Sequence, residues 1–419
     1  MRLMKFKIQS KDLVEALSMI STVKPRPLDS KGTAGYLCVI RGESCFFYSE
    51  DEQRKVRIKA PIFDVEGEGA FVFPLNHQSE FKHVEGWVEL EPIEKDGVPC
   101  VIYTDQGGNR PAAWPTFDAR SLNPLDKDFS NAQEGPLIPS ALLKEAITVT
   151  RPYVGDVNDA TTKTKPHYLG VHLLDAQHKS YNGFVIGASG QRTGTFFTPE
   201  LRDKGLSVHQ FQVPLLLAFL NKSKGDVRVK TSETATYIVN SNDQVIGWAN
   251  QVAPPAKFGH YGLSVDTFIF RIPKAILERV LLWTREAIPS DRDKIQVRYS
   301  HEDQQIRILA QGNHQSMPIG VTPLDESDSV EGHPIKGGSL SKKEDLQFNV
   351  SVNWLLDIVS SVRVNEIELR IAPYPQQEDA YYIRTIETFN LDENGKVVIK
   401  GEDGEKVYPC RVMRFIPSK

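Results

Sequence analysis

The sequence predicts an α+β fold of three similar domains in a row, each with two helices on antiparallel sheet. Three observations carry that reading. A short strand running into an amphipathic helix occurs three times, a second strand–helix step lies midway through each unit, and an alternating strand follows each helix.

The first steps are Phe6-Lys7-Ile8-Gln9-Ser10, Pro136-Leu137-Ile138-Pro139-Ser140 and Phe268-Ile269-Phe270-Arg271-Ile272-Pro273. Each leads into apolar residues three and four apart: Leu13, Ala16, Leu17 and Ile20; Leu142, Leu143, Ala146 and Ile147; Ile276, Leu277, Val280 and Leu281. Ser10, Ser140 and Pro273 stand where a helix cap or first-turn residue belongs. Ile8, Ile138 and Ile272 are 130 and 134 residues apart. A solenoid repeats every 20–50 residues or so, which excludes that architecture. With 419 residues there is room for about three domains.

The second steps are Phe71-Val72-Phe73-Pro74 with a helix over 75–84, Phe211-Gln212-Val213-Pro214 with one over 215–220, and Phe348-Asn349-Val350-Ser351 with one over 352–362. The returning strands are Trp87–Leu90, Val227–Val229 and Ile367–Ile371, whose alternation marks one buried face. The expected domains are 1–133, 134–264 and 265–419, with linkers at 131–135 and 260–266. Two insertions fall in the last domain. Residues 316–345, rich in Gly, Ser, Pro and acids, read as a long mobile loop; 390–407, with Asn394-Gly395 and Asp403-Gly404, reads as a polar hairpin.

Composition narrows the function classes. At 40% hydrophobic and 25% charged, the chain is no disordered tract, collagen or coiled coil. No apolar run reaches the roughly 18 residues of a membrane span, and the opening Met1-Arg2-Leu3-Met4-Lys5-Phe6 lacks a secretory core, so a cytoplasmic protein with no membrane partner is expected. Cys38, Cys45, Cys100 and Cys410 form no C-x-x-C pair and read as buried free thiols, the first two on one hairpin.

Catalytic and metal constellations are missing from the sequence. Gly187-Ala188-Ser189-Gly190-Gln191 puts its glycine one place too early for a nucleophile elbow. No phosphate loop, H-E-x-x-H or dinucleotide fingerprint occurs. His77 and His83 are poorly spaced for one metal, and Glu66/Glu68 and Glu89/Glu91 read as solvated strand faces. No catalytic residue, metal or cofactor is assigned, and the expectation is a non-enzyme.

What remains is a distribution of base. The net charge is −4, yet Lys82, Lys144, Lys222, Lys224, Lys274 and Arg279 fall on or beside the expected helices. Lys11, Arg285 and Arg363 do the same, and Lys24, Arg26, Arg151, Lys163 and Lys165 lie in loops after the first helices. Each alone reads as a solvated charge. Placed equivalently on repeated helices, they would make a positive surface that holds phosphates without reading bases.

In order along nearly the whole chain, these features resemble the bacterial DNA sliding clamp, the beta subunit of DNA polymerase III. The resemblance rests on Met4-Lys5-Phe6, Arg26-Pro27, Phe348-Asn349-Val350-Ser351, Leu355-Leu356-Asp357-Ile358 and the ending Val412-Met413-Arg414-Phe415. It implies a head-to-tail homodimeric ring of six clamp domains around double-stranded DNA, bound without sequence preference. It also implies a groove between the second and third domains that takes short linear motifs of DNA polymerase, clamp loader and repair proteins. Carried over residue by residue, that groove includes Leu169, Gly190, Gln191, Arg192, Thr193, Pro254, Pro255, Val412, Met413 and Arg414. The chain departs from the family at Ser189, Gln191, Thr193, Arg411 and Val412, so the groove walls are altered. Away from the resemblance, Gly190 reads as a turn glycine and Met413 as a core residue.

The implied ring interface includes Trp114, Ile288 and Pro289; Trp114 reads equally as a core residue of its own domain. Two other readings stand beside a replicative processivity factor. One is an accessory clamp of a phage, mobile element or resistance function. The other is a protein-interaction scaffold that does not encircle DNA.

Overall fold

The computed structural model describes residues 4–25, 34–110, 113–116, 119, 126–158, 162, 164–174, 184–189, 192–254, 268–288, 293–310, 318–323, 344–373, 380–398 and 406–418. They form two compact units, 1–144 with 211–251, and 145–210 with 252–419.

The first unit holds two antiparallel sheets. In the five-stranded one, Lys5–Gln9 lies between Phe63–Glu66 and Trp87–Lys95, followed by Val98–Asp105 and Trp114–Pro115. The eight-stranded one runs Gln133–Pro139, Asp226–Thr231, Ala235–Val239, Val245–Ala249, Arg54–Pro61, Ser44–Glu50, Gly35–Arg41, Gly69–Pro74. Helix Ser10–Ile20 turns Leu13, Ala16, Leu17 and Ile20 inward. Burying each Leu or Ile contributes about 1.5–3 kcal/mol.

The second unit has a ten-stranded sheet whose main path is Leu206–His209, Gly170–Leu173, Phe184–Ala188, Thr193–Phe197, Tyr408–Pro417, Tyr381–Leu391, Glu366–Pro373, Phe268–Pro273, Thr322–Pro323. A four-stranded sheet includes Lys294–Ser300, Gln305–Ala310 and Leu346–Ser351. Helices Lys274–Ala287 and Val352–Ser361 share one core with Phe268, Phe270, Val297, Phe348, Ile371, Ile383 and Ile416. Ser351 caps the second helix, its hydroxyl accepting from the Trp354 amide at 3.3 Å.

The sequence repeat reappears in the strand register. Ile8 pairs with Val88, Ile138 with Val227 and Ile272 with Ile367. At the following helix start, the amides of Ser10, Ser140 and Lys274 donate to the carbonyls of Gly86, Gly225 and Asn365 at 2.9, 3.0 and 2.8 Å. The two serines do not cap: their hydroxyls donate to the Val84 and Ser223 carbonyls, fastening each helix start to the end of the repeat's second helix.

Three expectations are corrected. Leu75–His83 is a 3₁₀ helix rather than an α-helix, because Leu75 and Phe81 are its only apolar residues and make no 3.6-residue stripe. The strand expected at 211–214 ends earlier, at His209; Pro214 is a helix-start residue and Phe211 lies 56% exposed in the turn. The 131–135 linker is partly strand, since Glu134 is held by Arg228 at 2.9 Å and Lys230 at 2.7 Å. Glu89 and Glu91 are likewise ion-paired, to Lys5 and Arg110, both at 3.0 Å.

All four cysteines are buried and free, with Cys38 and Cys45 on adjacent strands of one hairpin. The Asn394-Gly395 turn forms, with Gly395 at φ +78° and the Asp392 amide donating to the Lys396 carbonyl. Most of 316–345, residues 399–405 and the 260–266 linker lie outside the described residues.

Close backbone approach fixes one position in the second unit. A Cβ on Gly187 would stand 2.2 Å from the Thr150 carbonyl oxygen at the end of helix Ser140–Thr150. Gly187→Ala is expected to cost about 1–3 kcal/mol by overpacking, lowering the thermal midpoint, whereas Gly320→Ala, with open space around it, leaves the midpoint unchanged. Differential scanning calorimetry of the two variants checks this.

Candidate functional site

Strand alternation sorts the expected groove residues onto two faces of the ten-stranded sheet. On the helix side, Val412, Arg414 and Ile416 are buried along Tyr408–Pro417. Arg414 is fully buried, donating from Nη1 to Glu387 Oε2 at 3.0 Å and from Nη2 to the Ser361 carbonyl at 2.8 Å. The other Glu387 oxygen accepts the Arg363 amide at 2.7 Å, and the Arg363 side chain pairs with Glu145. Burial holds the Glu145 carboxyl above its ordinary pKa despite Arg363. Cys410 beside it is pushed up to about 12, first by burial and then by Glu145 and Glu200.

Val412 and Arg414 therefore brace the sheet against its helices and do not line the opposite face, a correction to the groove set. The partly exposed Arg192 has its guanidinium 5.4 Å over the Trp354 ring and 3.3 Å from Asp357, both on helix Val352–Ser361.

The face away from the helices carries Met413 and Thr193. Ile186, Thr195, Met413 and Ile386 stand opposite one another on four successive strands. Ile186 is buried with Tyr168, Leu174 and Ala188, while Thr195, Met413 and Ile386 are half-buried. The neighbouring row is Ala188, Thr193, Phe415, Arg384 and Arg370; on the other side Arg411 faces Phe197 and Thr388. Leu169 is half-buried where the chain enters Gly170–Leu173. The segment carrying Pro254 passes beside it, with a Val252 methyl 2.8 Å from where a Gly170 Cβ would be. Gly190, Gln191 and Pro255 lie outside the described residues.

This face is basic. Arg411 is half-buried and its pKa is lowered, first by burial and then by the charges of Arg370 and Arg384. Arg370 pairs with Glu368 at 2.5 Å, and the Tyr382 and Phe415 rings pack at a tilt of 40° with centres 4.6 Å apart. Sequence reading missed Arg370 and Arg384, because period-2 patterning gives faces but not the register that aligns them.

The expected DNA-facing residues divide similarly. Lys24, Lys82, Lys144, Arg151, Lys165 and Lys224 are exposed, and Arg279 is exposed with its guanidinium 5.7 Å over Trp283. Lys222 pairs with Glu15 at 3.4 Å. Lys274 is a structural clasp: its ammonium donates to the carbonyls of Ser360 and Val362 at the end of helix Val352–Ser361. Arg26 and Lys163 lie outside the described residues.

At the expected ring interface, Trp114 is only 6% exposed, packed edge-on to Phe73 and Phe81, against Tyr103, and under His77 at 4.2 Å. It is a core residue rather than an exposed anchor. Ile288 is half-buried against the core of the second unit, and Pro289 lies outside the described residues. Among the described residues there is no group of three potential metal ligands, and no helix is long and apolar enough to cross a membrane.

The chain superposes on solved structures of bacterial sliding clamps. A beta sliding clamp from Caulobacter crescentus matches with a TM-score of 0.72 at 12% identity, over 100% of this chain and 99% of that one. A DNA polymerase III subunit beta sliding clamp from Pseudomonas aeruginosa, bound to griselimycin, matches with 0.71 at 12% identity over the full length of both. The DNA polymerase III beta subunit of Thermotoga maritima gives 0.65 at 13% identity, over 98% and 99%. This is the bacterial sliding-clamp fold. No family model matches the sequence, and no curated protein does. The clamp fold is thus held here by a sequence that keeps about one residue in eight of those clamps.

The buried Arg414–Glu387 pair yields a stability prediction. Arg414→Met leaves the Glu387 carboxylate without its guanidinium partner and is expected to cost about 3–5 kcal/mol. Adding Glu387→Leu removes the stranded charge and restores most of the loss. Urea unfolding midpoints of the single and double variants check it.

Proposed function

We propose that this protein is a DNA sliding clamp, a non-catalytic processivity factor that tethers DNA polymerase and other replication or repair proteins to duplex DNA. The observation that carries the reading is the match of the clamp fold over the full chain, with the β-α-β unit repeated in register. Three clamp domains, at 1–133, 134–264 and 265–419, would pair head to tail in a two-chain ring with no free sheet edge. Ile288 is the described residue proposed for that joint.

Exposed Lys24, Lys82, Lys144, Arg151, Lys165, Lys224 and Arg279 are proposed as the phosphate-facing set. Such contacts hold a duplex without fixing its register, many of them through water. A polymerase bound to the ring then meets its template at high effective concentration.

The partner groove is proposed on the face carrying Leu169, Thr193, Pro254 and Met413, extended by Thr195 and Ile386. Met413 is central to it, half-buried between Thr195 and Ile386. Met413→Asp is expected to weaken binding of a fluorescent clamp-binding peptide about thirtyfold or more, the loss typical of a central anchor. Its dimer mass should be unchanged. Unaltered peptide affinity in that titration would overturn the groove assignment.

A further inference from the structure

We propose that Arg192 is a positioning residue for the groove: it fastens the adjoining ends of strands Phe184–Ala188 and Thr193–Phe197 to helix Val352–Ser361, and does not itself contact the peptide. The inference rests on the groove reading and gives one of its sequence-expected members a different task.

Strand alternation gives the direction. Gly194 stands opposite Arg414, on the helix side, while Thr193 and Thr195 stand opposite Phe415 and Met413 on the groove face. Arg192, one residue before Thr193, follows Gly194 to the helix side. Its contacts agree. Nη1 donates to Asp357 Oδ2 at 3.3 Å, and the guanidinium lies 5.4 Å over the Trp354 ring. Trp354 is a fixed platform, half-buried against the core of the second unit. Gly194 lets the strand lie close to that core, for a Cβ there would stand 2.2 Å from the Tyr153 ring.

The same residue closes the strand ends. The Ser189 amide donates to the Arg192 carbonyl at 2.9 Å, and the Arg192 amide to the Ser189 hydroxyl at 3.2 Å. Ala188 and Thr193, the last pair of that ladder, stand in the row next to Met413. Fixing Arg192 therefore fixes where that row begins. Arginine suits the task better than lysine, because a planar guanidinium can stack on an indole and bond a carboxylate at once.

A fluorescein-labelled peptide with a Leu-Leu-Phe core tests this by polarisation, in a double-mutant cycle. Arg192→Ala is expected to weaken binding about fivefold, the scale of one ion pair plus one cation–π contact. Asp357→Asn, on the helix side of the sheet, should weaken it about twofold, and the double variant should bind no worse than Arg192→Ala alone. Arg192→Lys, which keeps the charge, should recover part of the loss. Direct contact of Arg192 with the peptide would instead leave affinity unchanged in Asp357→Asn. That result, or additive losses in the double variant, overturns the proposal. Full affinity in Arg192→Ala alongside loss in Met413→Asp overturns it too and leaves the groove standing. Full affinity in Met413→Asp, or no binding to the wild-type protein, contradicts the groove reading itself.

Discussion

The Arg414–Glu387 pair sets the geometry on which the second unit depends. Both side chains are almost wholly buried, so the register of Tyr408–Pro417 against Tyr381–Leu391 is strongly specified. A slip of one residue would put Met413 and Arg411 into the helix-side core and the ion pair outside. The same pair reaches the Ser361 carbonyl, and Glu387 takes the Arg363 amide, so helix Val352–Ser361 is tied to the sheet by charge-assisted bonds. The buried ions need not add net stability; their bonds to each other, to the Ser361 carbonyl and to the Arg363 amide specify one arrangement, even with the buried Arg414 Nε unpaired. What the opposite face displays follows from that arrangement.

Much of the fold was legible in the sequence because hydrophobic periodicity and fold agree. Leu13, Leu17 and Ile20, or Leu277, Val280 and Leu281, mark helix faces that the core requires. Where the period was weak, as over Leu75–His83, the local conformation was not legible. Phe211 shows a second limit, since an aromatic beside Pro214 suits a strand end and a helix approach equally. The clamp resemblance itself was legible from ordered short motifs, although identity with the matched clamps is only 11–13%.

The candidate site was less legible, for a physical reason. Charge type can be read from the sequence, but its partner cannot. Lys274 looked like a phosphate ligand and instead clasps helix carbonyls; Lys222 faces Glu15; Arg414 is spent on Glu387. Trp114 had two readings, and its packing against Phe73, Phe81 and Tyr103 selects the core. Arg370 and Arg384 became visible only when register placed them beside Phe415.

Encirclement of duplex DNA can be tested by small-angle X-ray scattering in solution, which reports mass and shape together. A closed two-chain ring gives a particle of about twice 47.1 kDa with a hollow distance distribution, reduced to a monomer by Ile288→Lys. A compact or rod-like monomer at working concentration would contradict it, leaving the clamp fold in a protein that does not close around DNA.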